Sequence, residues 1–135
     1  MTQYAKPLPD ITALTQPFWD GTKAHQLRIQ RCDDCGTFRF IPREVCPQCA
    51  SVNATWTPVS GKGTLYTYSI VYRAPNPAFQ ADVPYVVAQV LLAEGPRIMS
   101  HLVGCPLDQV RVGMPVEVFF EDVTPQVTLY KFRPA

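Results

Sequence analysis

The sequence predicts a mainly β protein: an N-terminal helical arm, a small metal-stapled ribbon and a C-terminal five-stranded barrel. Three observations predict it. Four cysteines crowd into one short stretch, Cys32, Cys35, Cys46 and Cys49, spaced C-x2-C-x10-C-x2-C. Five apolar or alternating runs follow within the last 75 residues. Only the segment around Pro17-Phe18-Trp19 has a helix start signal.

The 135 residues suffice for one small domain plus a metal-stapled module, which we place at residues 1–25 (arm and short helix), 26–60 (ribbon) and 61–135 (OB-fold domain). The arm contains Pro7 and Pro9 and reads as extended. Thr15 is placed to N-cap a helix from Gln16 to Ala24, with Pro17 tolerated in its first turn. Gly21 weakens that helix. Phe18 and Trp19 are adjacent, about 100° apart, so one ring is expected on the chain's own surface and the other on a partner.

Leu27 to Arg31 alternates and reads as a strand entering the cysteines. Each C-x2-C pair bends into a knuckle with both sulfurs aimed at one point, and two knuckles supply a thiolate tetrahedron suited to Zn2+. Gly36 supplies a positive φ after the first knuckle, and Pro47 stiffens the second. A pair of disulfides and an iron site are the alternatives. A closed four-thiolate site has no open position for water or substrate, so the zinc, one per chain, is structural. Residues 26–60 are too few to hold a core without it. Zinc binding of roughly 10–16 kcal/mol would supply the missing folding energy.

Gly61 and Gly63 mark the boundary to the β half. Strands are predicted near 64–73, 85–92, 97–103, 115–121 and 127–132, with Glu94-Gly95-Pro96 as a turn and Gly113-Met114-Pro115 opening the fourth. Five strands with a long first one fit an OB barrel better than a sandwich. On the first strand, alternation puts Tyr66, Tyr68, Ile70 and Tyr72 on one face and Leu65, Thr67, Ser69 and Val71 on the other. That stripe suits base stacking, a core rim or a protein interface. The loop Arg73–Pro84 holds three prolines and is long for a hairpin. It either binds a ligand, with Arg73 and Phe79 held in place, or merely connects.

Twelve basic and eleven acidic residues give +1, and residues 61–135 carry six of each sign. Four thiolates with one Zn2+ add −2, for about −1 in the metal-bound chain. A nucleic-acid binder needs a basic footprint, which this balance lacks. No apolar run reaches the ~20 residues of a membrane span, and the N-terminus has no signal-peptide pattern; a cytoplasmic location is expected. Cys105 reads as a small hydrophobe, and His25 and His101 as satisfied or solvated. Asp33 and Asp34 lie in the knuckle and are not a spaced acid/base pair. No nucleophile, phosphate-loop or dinucleotide motif occurs, so no catalytic residue is assigned.

The order Pro17-Phe18-Trp19-Asp20-Gly21, Leu27-Arg28-Ile29-Gln30-Arg31-Cys32-Asp33-Asp34-Cys35-Gly36, Pro42-Arg43 and Cys46-Pro47-Gln48-Cys49 continues into Gly61-Lys62-Gly63-Thr64-Leu65-Tyr66, Pro84–Ala88 and Val112–Val116. Over residues 8–134 it resembles the zinc-ribbon OB-fold proteins associated with acyl-CoA metabolism. Ile41 departs from that pattern, which more often has a second proline there. The resemblance implies a rubredoxin-like ribbon, an OB barrel and a non-catalytic subunit partnering a thiolase-superfamily enzyme: a thiolase, an acyltransferase or a steroid side-chain-CoA aldolase. Some members are fused to hydratase-like domains. Phe18, Trp19, Tyr72 and Phe79 are the candidate partner contacts. Arg39, Arg43, Lys62, Arg73 and Arg97 are the candidate cations for an acyl-CoA ligand. A free-standing acyl-CoA carrier is the second reading and a nucleic-acid module the third.

Overall fold

The computed structural model describes residues 6–135, so the first five residues of the expected arm lie outside it. One helix, α1 (Gln16–Lys23), precedes eight strands: β1 (Leu27–Cys32), β2 (Phe38–Arg39), β3 (Ala54–Val59), β4 (Lys62–Val71), β5 (Tyr85–Leu92), β6 (Arg97–Leu102), β7 (Pro115–Asp122) and β8 (Thr128–Pro134). Short 3-10 turns lie at Pro77–Phe79 and Leu107–Gln109. β2, β1 and β3 form an antiparallel sheet, and β4-β5-β6-β8-β7 close into a barrel. The barrel closes through a parallel contact of β6 with β8, Leu102 opposite Phe132, as the five-stranded OB topology requires.

α1 ends one residue earlier than expected, with Ala24 as its C-cap. Thr15 occupies the N-cap position, but its hydroxyl pairs with Thr12 (3.1 Å) and caps no helical N–H. Gly21 has a packing reason. A methyl there would lie 2.8 Å from the Gln26 carbonyl and 3.0 Å from the Arg28 stem, where the chain turns from helix into β1.

One core joins all three parts. Phe18 from α1, and Leu27 and Ile29 from β1, cluster with Leu65, Val90, Ile98, Val116 and Phe132 of the barrel. Phe18 is only 3% exposed. Its ring meets Tyr130 of β8 edge-on at 5.3 Å, Trp19 at 5.0 Å and Phe40 at 5.7 Å. The assignment of Phe18 to a partner interface is therefore corrected: its surface is consumed inside the chain. Trp19 also packs inward, its ring 6.3 Å from that of Tyr130.

The long first barrel strand departs from simple alternation. Leu65 pairs with Val90, then Thr67 with Gln89 and Tyr68 with Ala88, leaving Tyr66 as the extra residue of a β-bulge. A bulge resets the two-residue period. Leu65, Tyr68 and Ile70 consequently face the side of Val90, Ala88 and Val86, and the expected single stripe of tyrosines splits. Tyr66 stands on the outer side, 47% exposed, beneath the Arg97 guanidinium at 4.8 Å.

Gly63, on β4, sits where the strand crosses β5. A methyl on it would collide with the Leu91 carbonyl oxygen, with Leu92 Cα at 3.0 Å. Gly63→Ala is expected to lower folding stability by on the order of 2 kcal/mol, read as a lower thermal unfolding midpoint, while leaving metal content unchanged. Phe18→Ala should cost about 3–5 kcal/mol in denaturant titrations, the loss typical of a core aromatic.

Candidate metal centre and basic cleft

The two cysteine pairs build the same turn twice. In the first, Cys32 N–H donates to Thr37 O (2.9 Å), Gly36 N–H donates to Cys32 O (3.0 Å), and Cys35 N–H points at Cys32 Sγ (3.5 Å). In the second, Cys46 N–H donates to Ser51 O (2.9 Å), Ala50 N–H donates to Cys46 O (2.9 Å), and Gln48 N–H points at Cys46 Sγ (3.4 Å). Gly36 takes the positive φ expected of it, 77°. Ala50, the equivalent residue of the second knuckle, is also left-handed at 64°. An alanine gives no sequence signal for such a turn.

All four sulfurs lie within 4.8 Å of one another. Cys32 and Cys49 are 3.5 Å apart, and Cys35 and Cys46 3.6 Å. A tetrahedron of thiolates at the usual metal–sulfur distance has edges of about 3.8 Å, so the donor set fits a four-coordinate ion. Backbone N–H groups, that of Cys49 foremost, hold the Cys46 thiol down to about 6. The Cys35 N–H does the same in direction for Cys32. For Cys49 the Ser51 N–H pulls downward, but the contact with Cys32, desolvation and the other two sulfurs push the thiol up to about 12. The surroundings thus favour the thiolates of Cys32 and Cys46 and oppose that of Cys49, an imbalance that a divalent cation among the sulfurs would relieve. Asp33 accepts from Thr55 (2.7 Å), and Asp34 accepts from Ser51 and Asn53, so both acids tie the knuckle to β3 and its approach.

The five candidate cations divide. Arg39, Arg43 and Arg97 meet on one cleft of about 450 Å³ between the ribbon and the barrel. Lys62 and Arg73 are exposed elsewhere and do not reach it. Arg39 is 4% exposed. Its Nε donates to Gln30 Oε1 at 3.3 Å, and the same oxygen accepts the Arg43 backbone N–H at 2.8 Å. Gln30, buried on β1, thus fixes the Arg39 side chain and the backbone at Arg43; a lone glutamine in an alternating strand gave no sign of this role. Arg39 Nη1 is buried with no hydrogen-bond partner among the described residues. Among the described residues no carboxylate lines the cleft. Glu94, beside Gly95 in the sequence, accepts the Ser60 N–H through Oε2 at 2.9 Å, and its Oε1 is buried with no hydrogen-bond partner among the described residues.

Of the remaining candidate contacts, Tyr72 is 70% exposed and Trp19 and Phe79 are half-buried. Phe79 lies 6.0 Å from the Tyr85 ring with Lys6 5.8 Å above it, and Lys6 pairs with Asp82 at 2.5 Å. His25 pairs with Asp122 (3.0 Å) and stacks on Phe120 (5.4 Å), clasping the end of α1 to the barrel. The hydrogen bond from Thr128, then that from His25, holds Asp122 below the ordinary carboxylate range. His101 and Cys105, four residues apart in the sequence, both line a 300 Å³ cavity. Burial first, then the charges of Lys131 and Lys6, keeps His101 below the usual imidazole range, and its ring packs on Tyr85 at 4.7 Å. Cys105 Sγ contacts Pro106 O at 3.5 Å. No helix among the described residues is long and apolar enough to cross a membrane.

Two family models match the chain: the ChsH2 rubredoxin-like zinc ribbon domain over residues 19–52, and the ChsH2 C-terminal OB-fold domain over residues 56–121. A probable enoyl-CoA hydratase alpha subunit of Thermomonospora curvata is 38% identical over 96% of this chain. The chain spans only 40% of that relative's length. A DUF35 domain-containing scaffold protein of Methanocaldococcus jannaschii is 42% identical over 77% of this chain and 78% of its own. The benzoylsuccinyl-CoA thiolase subunit BbsA of Thauera aromatica is 32% identical over 93% of this chain and 90% of its own. Among solved structures, a chain of an Ltp2-ChsH2(DUF35) aldolase superposes with a TM-score of 0.84 at 38% identity, covering 94% of this chain and 98% of that one.

Cys46→Ala should abolish metal binding, measured by elemental analysis of protein purified without added metal. It should also lower the unfolding midpoint, because β1 carries both Cys32 and the core residues Leu27 and Ile29.

Proposed function

This chain belongs to the ChsH2-type (DUF35) family of zinc-ribbon and OB-fold proteins, and from that premise we propose that it is a non-catalytic accessory subunit. It docks a thiolase-superfamily enzyme and helps complete or stabilise the acyl-CoA site of that enzyme. The carrying observation is the near end-to-end superposition on a chain of an aldolase complex at 38% identity. The scaffold and thiolase-subunit relatives, each covered over more than two thirds of its own length, point the same way. The ion in the cysteine site is Zn2+, one per chain: the family model is a zinc ribbon, and four thiolates in a tetrahedron suit that ion. It is structural, since four protein ligands leave no position for a reacting water.

Docking falls to the aromatic side chains that still offer surface. Tyr72 is exposed over most of its area, and Trp19 and Phe79 over part of theirs. A large ring at the centre of an interface contributes ~2 kcal/mol or more when truncated. The test uses the full chain and a thiolase-like protein from the same cell, co-expressed and passed through size exclusion. A stable hetero-complex is expected. Tyr72→Ala is expected to weaken it at least about tenfold with zinc content and unfolding midpoint unchanged. A chain that never associates with such a partner, or that alone cleaves acyl-CoA thioesters or aldol adducts at ordinary enzymatic rates, would contradict the proposal.

A further inference from the structure

We propose that the cleft between ribbon and barrel is an anion site, and that Arg39, Arg43 and Arg97 seat the phosphates of a CoA thioester there. The inference rests on the accessory reading above and adds where the nucleotide end of the ligand binds. Three arginines from three parts of the fold line this cleft: β2, the loop before the second knuckle, and the start of β6. Like charges brought together without a carboxylate repel, so their convergence needs a reason. None of the three pairs with an acid among the described residues. Elsewhere in the same chain Lys6, Lys131 and Arg133 do, at 2.5, 2.7 and 3.1 Å.

Arg39 is the second, independent observation. Its side chain is buried, and Nη1 has no acceptor. A buried guanidinium nitrogen without an acceptor is costly and is ordinarily matched by an anion. The planar fork suits the paired oxygens of a phosphate or diphosphate. Two of the three guanidinium groups are also held before binding. Gln30 fixes Arg39 and the Arg43 backbone through one oxygen, and Arg97 rests over the Tyr66 ring at 4.8 Å. Pro47 and Gln48 of the second knuckle line the same cleft, so the metal sets the position of one wall. About 450 Å³ exceeds what a lone inorganic ion occupies and leaves room for a diphosphate with part of its nucleotide.

The experiment titrates the zinc-loaded full chain with CoA, with inorganic pyrophosphate and with pantetheine, following binding by calorimetry. Arg43→Gln and Arg97→Gln serve as variants because both side chains are exposed, so folding and zinc content should survive. CoA is expected to bind saturably, to be displaced by pyrophosphate, and to weaken at least about tenfold in each variant. Pantetheine, which lacks the diphosphate and the nucleotide, is expected not to compete. Unchanged CoA affinity in both variants, competition by pantetheine, pyrophosphate binding without CoA binding, or no binding of either at millimolar concentration would overturn the proposal. Measuring the same variants for partner association separates the two readings. Loss of CoA binding with intact association concerns the cleft alone. Absence of any association sinks the accessory reading and leaves the titration of the free chain to stand or fall by itself.

Discussion

Four sulfurs held within 4.8 Å of one another repel as thiolates unless a cation lies among them, and most of this structure hangs on the strand that delivers the first of them. β1 ends at Cys32. Two residues earlier it buries Gln30, which organises the basic cleft, and before that Ile29 and Leu27, which enter the common core. A cation that locks Cys32 therefore also fixes the register of β1 against β2 and β3, where Cys32 faces Ala54 and Gln30 faces both Arg39 and Trp56. Metal, core and cleft are three consequences of one short strand, whose burial departs from strict alternation to serve them all.

The helix is bound to the rest by rings. Alone, eight residues containing Gly21 and Pro17 would not hold a helical form in water. Burial of Phe18 between Phe40 of the ribbon segment and Tyr130 of the barrel gives α1 its place, and the His25–Asp122 pair closes its far end. Tyr130 lies at the centre: it meets Phe18 and Trp19, its hydroxyl donates to Met99 O at 3.0 Å, and burial pushes that hydroxyl up to about 12. It stays a neutral donor at any ordinary pH. An aromatic joint of this kind needs no charge and is insensitive to salt.

Charge in this chain is nearly balanced overall, and its distribution carries more meaning than its sum. Paired cations sit on the barrel and beside the proline-rich loop, at Lys131–Glu121, Arg133–Glu117 and Lys6–Asp82. Arginines without carboxylate partners gather where the ribbon meets the barrel. A net charge within about one unit of zero, +1 by formal count, gives long-range fields little strength, so binding at that junction would depend on close, desolvated contacts with a fixed geometry.

By itself the sequence determined the metal site, because cysteine spacing and knuckle turns are local and the chain closes them over a few bonds. It determined the barrel strands as well: alternating runs bounded by Gly95-Pro96 and Gly113 placed β5 to the residue and the others to within about two residues. The same locality explains where sequence reading stopped. Phe18 and Trp19 look equivalent as neighbours, and only the approach of Tyr130, over a hundred residues later, decides that Phe18 is core. The tyrosine stripe of β4 looked continuous, and only pairing with β5 inserts the bulge at Tyr66 that divides it. Five cations looked interchangeable, and only the packing of ribbon on barrel sorts Arg39, Arg43 and Arg97 from Lys62 and Arg73. Spacing along a chain fixes what neighbours can do, whereas burial and convergence arise from distant segments whose meeting no local pattern encodes.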